Sequence, residues 1–272
     1  MTDTTGAARP DLGDVQRTLF LPLAARAAET KRRRPAIRDP KAVEIMAAVE
    51  VDKNLTGTAT GGFSTVCRTL IFDWWVRQFL REHPDGTVVE LGTGLNTRFE
   101  RVDNGRVHWI DLDLPDTIEL RRRFFADTDR RRMLAGSVLD ADWHDVVAAS
   151  PGPYFLVSEG VLVYLDEDKV KVSLGRTARR LPASSIAIDT YSTSMARQQR
   201  RMVRSRGIAP WKSPCDDPRS YEETGLRLTE SVPVTRPPAG LRRGLPPRYR
   251  ALLTLADPVL KSAFRMNLFR AG

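Results

Sequence analysis

A short glycine turn is the first feature of this sequence whose residue types could hold a ligand. The apolar segment Thr87–Leu91 is predicted as a buried strand, and it leads directly into Gly92, Thr93 and Gly94. Glycines let the backbone approach a ligand closely, and a strand followed by such a turn opens a crevice at the edge of a parallel sheet. A dinucleotide fingerprint would have a third glycine where this chain has Thr97. The segment therefore indicates either a ligand other than a dinucleotide or a plain tight turn.

Three acidic residues stand where further strands are predicted to end. Asp111 and Asp113 follow about 20 residues after Gly92, where a carboxylate can accept hydrogen bonds from both hydroxyls of a ribose. We expect Asp113, which is nearer to the next helix, to face the ligand, although it could instead cap that helix. Glu159 ends another predicted strand just before Gly160, at the edge where a doubly wound sheet binds ligands. It could also cap the turn that follows.

A parallel sheet is needed to bring these side chains together, and the apolar pattern predicts one. Predicted strands alternate with predicted helices: strands 107–111, 132–135, 153–159 and 184–189 with helices 115–127, 143–149 and 166–181. This alternation indicates a parallel sheet that is covered on both faces. The same pattern predicts a loop at 56–64, a helix at 65–82 and a final strand at 264–269. Asp39 and Pro40 predict a helix start with Asp39 as its N-cap.

Composition narrows the classes of partner. The 272 residues carry a net charge of +9, which attracts anions, but most of the basic residues are arginine. Arginine-rich, lysine-poor usage is typical of GC-rich genomes, and the basic stretch 197–206 has no interleaved aromatic residues. We therefore expect no nucleic-acid partner.

The cysteines and the apolar runs indicate a location. Cys67 and Cys215 are the two cysteines, too few for a disulfide framework or a cysteine-based metal site, so no metal is expected. The N-terminus lacks the apolar segment of a signal peptide, and no apolar run is long enough to span a membrane. These observations predict a cytoplasmic protein without a membrane partner.

The motifs, in this order, resemble those of the leucine carboxyl methyltransferase family and of its bacterial tetracenomycin-type polyketide O-methyltransferases. Residues 90–98 (ELGTGLNTR) are similar to the family's Gly-Ala-Gly-hydrophobic-Asp-Thr-Arg motif, with Asn96 in place of the aspartate. Residues 109–115 (WIDLDLP) are similar to its Glu-Val-Asp-Leu-Pro segment, and residues 158–165 (SEGVLVYL) to its Glu-Gly-Val-Leu-x-Tyr-Leu motif. The segments 38–40 and 67–69 also have counterparts, so the resemblance runs from about residue 15 to about residue 190.

This resemblance implies a Rossmann-like α/β fold of the class I methyltransferases. Its sheet would have seven mostly parallel strands with helices on both faces, and a helical lid would precede it. The implied organisation is a flexible tail at 1–14, an N-terminal lid at 15–83 and a domain at 84–272 that binds S-adenosylmethionine (SAM). A helical insertion at about 192–220 would help to cover the acceptor.

The resemblance also implies the residues that bind the cofactor. Arg68 matches the family arginine that pairs with the carboxylate of SAM, and a guanidinium suits this role because it binds carboxylates bidentately. The other implied contacts are Gly92, Gly94, Asp113 (with Asp111 as the alternative), Ser137, Val138 and Glu159. Many family members have an acid beside the adenine, which this chain lacks at Val138.

The reaction implied is O-methylation of a small acidic or aromatic acceptor, by a monomer or a homodimer. A carboxylate acceptor needs no general base, whereas an alcohol or phenol does. The histidines are predicted to be structural: His83, His108 and His144. Tyr164 and Glu159 are the candidates for orienting the acceptor.

Two alternatives remain at this stage. One is a relative that binds SAM but has a different reaction or has lost catalysis. The other is an NAD-dependent oxidoreductase, which would need a lysine four residues after a catalytic tyrosine, whereas Asp168 stands four residues after Tyr164.

Overall fold

A seven-stranded sheet is the centre of the fold in the computed structural model, which describes residues 18–49, 59–203 and 209–272. Its strands are β1 (Thr87–Leu91), β2 (His108–Asp113), β3 (Arg131–Ala135), β4 (Tyr154–Ser158), β5 (Ser185–Tyr191), β6 (Leu226–Pro233) and β7 (Phe264–Ala271). Their order is β3-β2-β1-β4-β5-β7-β6, and the first five strands are parallel. β7 lies antiparallel between β5 and β6. The predicted seven-stranded, mostly parallel sheet is confirmed.

Ten α-helices belong to the described part of the chain. They are α1 (Phe20–Thr30), α2 (Pro40–Ala48), α3 (Ala59–Glu82), α4 (Arg98–Val102), α5 (Pro115–Arg121), α6 (Trp143–Ala148), α7 (Glu167–Arg180), α8 (Thr193–Val203), α9 (Ala239–Gly244) and α10 (Pro247–Leu260). Two short 3₁₀ helices span Leu162–Tyr164 and Pro218–Thr224. No described helix is both long and apolar enough to cross a membrane. The predicted tail at 1–14 lies outside the described residues.

Helices cover both faces of the sheet. Because successive strand residues point to opposite sides, each strand contributes side chains to both of the core clusters that lie under these helices. Val88 of β1 belongs to a core cluster that includes the apolar side chains of α3. Val89, the next residue, belongs to a second cluster that includes Val170 and Leu174 of α7. The strands therefore read as continuous apolar runs, as expected for a sheet buried on both faces.

The structure differs from the predicted elements at α3, α5, β6, α9 and α10. The helix predicted at 115–127 ends at Arg121. The predicted loop at 56–64 is wrong from Ala59 onward, because α3 begins there despite the glycines and threonines that disfavour a helix. None of β6, α9 and α10 was predicted, and this region contains six prolines, which disfavour regular helices and strands. Two of them lie at permitted positions: Pro233 ends β6, and Pro247 occupies the first turn of α10. Pro258 lies inside α10.

Asp39 joins the first two helices. Its Oδ1 accepts a hydrogen bond from the backbone N–H of Ala42 at 2.9 Å, which confirms the predicted N-cap of α2. Its Oδ2 accepts from Nε of Arg26 on α1 at 2.8 Å, and both side chains are buried. One carboxylate thus satisfies a helix end and neutralises a buried guanidinium.

We expect Asp39→Ala to lower the free energy of unfolding by about 3–5 kcal/mol, because it leaves Arg26 charged and buried without its acid. Urea unfolding followed by circular dichroism measures this. The control is Glu44→Ala, which removes the exposed partner of Lys41 and should cost no more than about 1 kcal/mol. Equal effects of the two substitutions would contradict the role given to Asp39.

Candidate active site

The carboxyl ends of β1, β2 and β4 lie side by side and form a crevice. Glu90 on β1 is in register with Asp111 on β2, and the turn that follows β1 is fixed to the end of β2. The backbone N–H groups of Gly92 and Thr93 donate to the carbonyl of Leu112 at 2.8 and 3.0 Å. The predicted ligand turn and the predicted acids are therefore neighbours at one edge of the sheet.

Glycine is required at two positions in this crevice. Gly92 has φ = 72° and Gly160 has φ = 70°, in the left-handed region that side chains disfavour. A Cβ at Gly92 would overlap the side chain of Val161, and a Cβ at Gly160 would lie 2.9 Å from Nη1 of Arg68. The two turns approach Val161 and Arg68 so closely that a side chain at either glycine would displace these neighbours.

Asp111 is fully buried inside an ion-pair cluster. Its carboxylate accepts hydrogen bonds from Nη2 of Arg121 at 3.0 Å, from Nε of Arg131 at 2.8 Å and from Oγ1 of Thr93 at 2.8 Å. Burial opposes ionisation of Asp111, but the two arginines outweigh it and lower its pKa. Both oxygens of Asp111 are therefore already occupied within the protein.

Asp113 ends β2 and is in a different situation. Its Oδ2 accepts from the backbone N–H of Gly94 at 2.6 Å, and its Oδ1 accepts from the N–H of Leu114 at 2.7 Å. It has no ion pair with any described residue. Burial raises the pKa of Asp113, although the two backbone donors oppose this change. Asp113 is thus a carboxylate beside the glycine turn with acceptor capacity to spare.

Arg98 is the centre of the charged groups beneath the crevice. Its side chain is fully buried, and Nε donates to Asp73 on α3 at 2.8 Å. Its two terminal nitrogens pair with Glu90 and with Glu159. One guanidinium therefore connects a long helix, the first strand and the residue that follows β4.

Arg68 on α3 lies beside Glu159. Its Nε donates to Oε1 of Glu159 at 3.0 Å, and its Nη1 donates to Oδ2 of Asp189 at 3.1 Å and to the hydroxyl of Tyr191 at 2.7 Å. Nη2 is left without an acceptor among the described residues. Burial opposes ionisation of Glu159, but Arg68 and Arg98 outweigh it and lower its pKa to about 2.

Ser137 and Val138 follow β3 and reach the same edge as Asp113. The N–H of Gly136 donates to the carbonyl of Asp113 at 2.9 Å, which fixes this loop beside β2. Val138 is buried in the α7-side core cluster, and the N–H of Ser137 donates to Oδ2 of Asp140 at 2.8 Å. The segment therefore places an apolar side chain and backbone polar groups next to Asp113.

Tyr164 and the histidines lie in different surroundings. Tyr164 is partly buried at the end of the 3₁₀ helix that follows Glu159. His144 is buried between the carbonyl of Ala141 and the hydroxyl of Thr177, at 3.0 and 3.1 Å, so it is a structural residue. His108 begins β2, at the edge opposite to the crevice, and His83 lies in the turn after α3 against a phenylalanine ring.

Sequence reasoning missed the partners that hold these residues, namely Asp73, Asp189 and Tyr191. Asp189 lies at the end of the predicted strand 184–189, the same kind of position as Asp113, so its place offered a signal. Asp73 lies within α3 and has no comparable signal, because its partners Arg98 and Arg101 are distant in the sequence.

The strand order and the crevice at the carboxyl ends define a Rossmann-like α/β protein of the class I methyltransferase type. A solved structure from Thermobifida fusca YX, described as a candidate methyltransferase, has this fold: it aligns with a TM-score of 0.62 and 17% identity over 99% of this chain and 98% of its own. Residues 20–178 match the leucine carboxyl methyltransferase family. The chain belongs to that family.

Two curated relatives agree with this membership. The tetracenomycin polyketide synthesis O-methyltransferase TcmP of Streptomyces glaucescens is 35% identical over 80% of this chain and 83% of its own length. The S-adenosyl-L-methionine-dependent methyltransferase dpfgK of Gibberella zeae is 25% identical over 64% of each chain. The family and the methyltransferase class predicted from the motifs are confirmed, and the alternative of an NAD-dependent oxidoreductase is not supported.

The lowered pKa of Glu159 predicts a pH dependence of stability. A carboxylate with a pKa of about 2 instead of 4.5 stabilises the folded protein above about pH 4.5, and this contribution is lost as the pH falls toward 2. We expect Glu159→Gln to be less stable than the wild type at pH 6 and this gap to shrink at lower pH. Urea unfolding at several pH values measures it, and a gap independent of pH would contradict the ion pairing.

Proposed function

We propose that this methyltransferase binds SAM in the crevice between β1, β2 and β4 and transfers its methyl group to an oxygen of a small polyketide acid. The observation that carries the proposal is Asp113, a carboxylate with spare acceptor capacity beside a glycine turn. Such a group suits the two hydroxyls of a ribose. Asp111 does not compete for this role, because Arg121 and Arg131 occupy it.

The chemistry of the crevice fits the other parts of SAM. Nη2 of Arg68 suits the ligand's carboxylate, since a guanidinium binds that group strongly. The turns at Gly92 and Gly94 allow the backbone to approach the methionine part, because side chains are absent there. Ser137 and Val138 would provide the polar backbone and the apolar surface beside the adenine.

SAM supplies an activated methyl group on a positively charged sulfur, so the protein mainly has to orient and dehydrate the acceptor oxygen. Glu159 stays ionised at neutral pH, because Arg68 and Arg98 hold its pKa near 2. It therefore serves as a fixed negative group that positions its neighbours and does not accept a proton. The hydroxyl of Tyr164 is the group we assign to orient the acceptor.

A carboxylate acceptor agrees best with the titratable groups of this site. No described histidine lies at the carboxyl edge of the sheet, and a carboxylate needs no general base. The net charge of +9 favours an acidic acceptor. The relative TcmP is named for polyketide synthesis, which supports a polyketide acid as the acceptor class.

Ligand-dependent thermal stability tests the cofactor. We expect SAM and S-adenosylhomocysteine (SAH) each to raise the melting temperature, because they bind only the folded protein, and NAD to leave it unchanged. Asp113→Ala should abolish the shift, whereas Asp145→Ala, which removes an exposed acid on α6, should preserve it. Stabilisation by NAD alone, or by none of the three, would contradict the proposal.

The oxygen that accepts the methyl group can be tested with SAM that carries a radiolabelled methyl. We expect an aromatic polyketide acid with both a carboxyl and a phenol group to yield a product that releases labelled methanol in mild base. Methyl esters hydrolyse under these conditions, whereas aryl methyl ethers do not. A base-stable label would assign transfer to the phenol and contradict the carboxylate assignment.

A further inference from the structure

The ion pairs under the crevice form one continuous chain of buried charges. Arginine and acidic side chains alternate along it, from α1 to β5: Arg26, Asp39, Arg101, Asp73, Arg98, Glu159, Arg68 and Asp189. Each of the eight side chains exposes 8% of its surface or less. This alternating chain is neutral when every group is ionised.

Glu90 is a ninth charged group, attached as a branch. It pairs with Arg98, which already pairs with Asp73 and Glu159. Its other hydrogen bond comes from Nδ2 of Asn96 at a long 3.4 Å, and its side chain is only 3% exposed. Across the described parts of the chain, the connected cluster thus has five carboxylates against four guanidinium groups.

A buried charge without a counterion is costly, so a proton or an added positive charge beside Glu90 would stabilise the cluster. The partly buried Arg77 also lowers the pKa of Asp73, but it forms no ion pair with a described acid of the cluster. The charged groups that face Glu90 are Arg98 from α4, Glu159 from the end of β4 and Asp111 from β2. Burial raises the pKa of Glu90, and Arg98 only partly opposes this, because Glu159 and Asp111 add repulsion. At the far end of the chain, Asp189 faces Arg68, Tyr191 and Glu159, and burial likewise raises its pKa.

Glu90 also has the right position to sense a ligand. It lies at the carboxyl end of β1, separated from the glycine turn by Leu91, and Asn96 beyond that turn donates to it. Because Glu90 is buried, a positive charge in the crevice would act on it through the protein interior, where electrostatic interactions are weakly screened.

We propose that Glu90 selects a positively charged ligand by proton exchange: the free protein holds a proton on Glu90, and binding of the cation releases it. This inference rests on the proposed function. SAM has a sulfonium, an ammonium and a carboxylate, so it brings one net positive charge, whereas SAH has no net charge. Protonated protein and SAM therefore give the complex with ionised Glu90 and one free proton, while SAH leaves the proton in place.

This exchange would let the site distinguish the cofactor SAM from the product SAH. When the methyl group has left, the sulfur is neutral and the cluster again lacks a positive charge. A proton then returns to Glu90, so the acid no longer attracts the bound molecule electrostatically. The same acid would thereby favour SAM on entry and the release of SAH afterwards.

Isothermal titration calorimetry of the wild-type protein measures the exchange directly. Titrations in two buffers of different ionisation enthalpy give the number of protons released. We expect SAM to release up to about one proton more than SAH, and the affinity for SAM to rise by up to about tenfold per pH unit below the pKa of Glu90. The affinity for SAH should stay nearly constant over the same range. Equal proton release by the two ligands would overturn the proposal.

Glu90→Gln identifies the group, because it keeps the shape of the side chain and removes the surplus charge. It should abolish the pH dependence of SAM binding and narrow the difference in affinity between SAM and SAH. Glu44→Gln, at an exposed acid on α2, is the matched control and should behave as the wild type.

Other outcomes have separate meanings. If Asp189→Asn removes the pH dependence and Glu90→Gln does not, the assignment to Glu90 is wrong. If the wild-type protein binds neither SAM nor SAH, the proposed function itself fails. If both ligands bind with the same pH profile, the function stands and the proton exchange is refuted.

Discussion

The guanidinium of Arg98 is the interaction on which the rest of the site depends. It pairs with Asp73 on α3, Glu90 on β1 and Glu159 after β4, and its side chain is entirely buried. Asp73 also pairs with Arg101, and Glu159 also pairs with Arg68, whereas Glu90 has Arg98 as its one ion-pair partner among the described residues. The helix, the first strand and the fourth strand are therefore held in one relative position. The ion pairs of Arg98 therefore fix the shape of the crevice between these elements.

The two acids at the end of β2 show how the strand separates structure from binding. Asp111 and Asp113 lie on the same side of β2, yet they have opposite surroundings. Asp111 faces Arg121 and Arg131 and stabilises the interior. Asp113 is the last residue of the strand, and its donors among the described residues are backbone groups. Within two residues of one strand, one carboxylate thus forms internal ion pairs and the other remains available to a ligand.

Sequence periodicity predicted β1 and the N-cap at Asp39 correctly, because both follow from local physics. It also placed Asp113 and Glu159 at one edge, since parallel strands share their carboxyl ends. It failed at α10 and at the start of α3, where tertiary packing outweighs the local preferences of proline and glycine. The pairing of Asp73 with Arg98 and Arg101 was out of reach, because ion pairs between residues so distant in sequence leave no periodic signal.

A crystal structure of the complex with SAH tests most directly whether this crevice is the cofactor site. We expect both ribose hydroxyls within hydrogen-bond distance of Asp113 and the ligand's carboxylate beside Nη2 of Arg68, with the pairs of Arg98 unchanged. A ligand bound away from the turn at Gly92, or a ribose held by Asp111 in place of its arginines, would contradict this account.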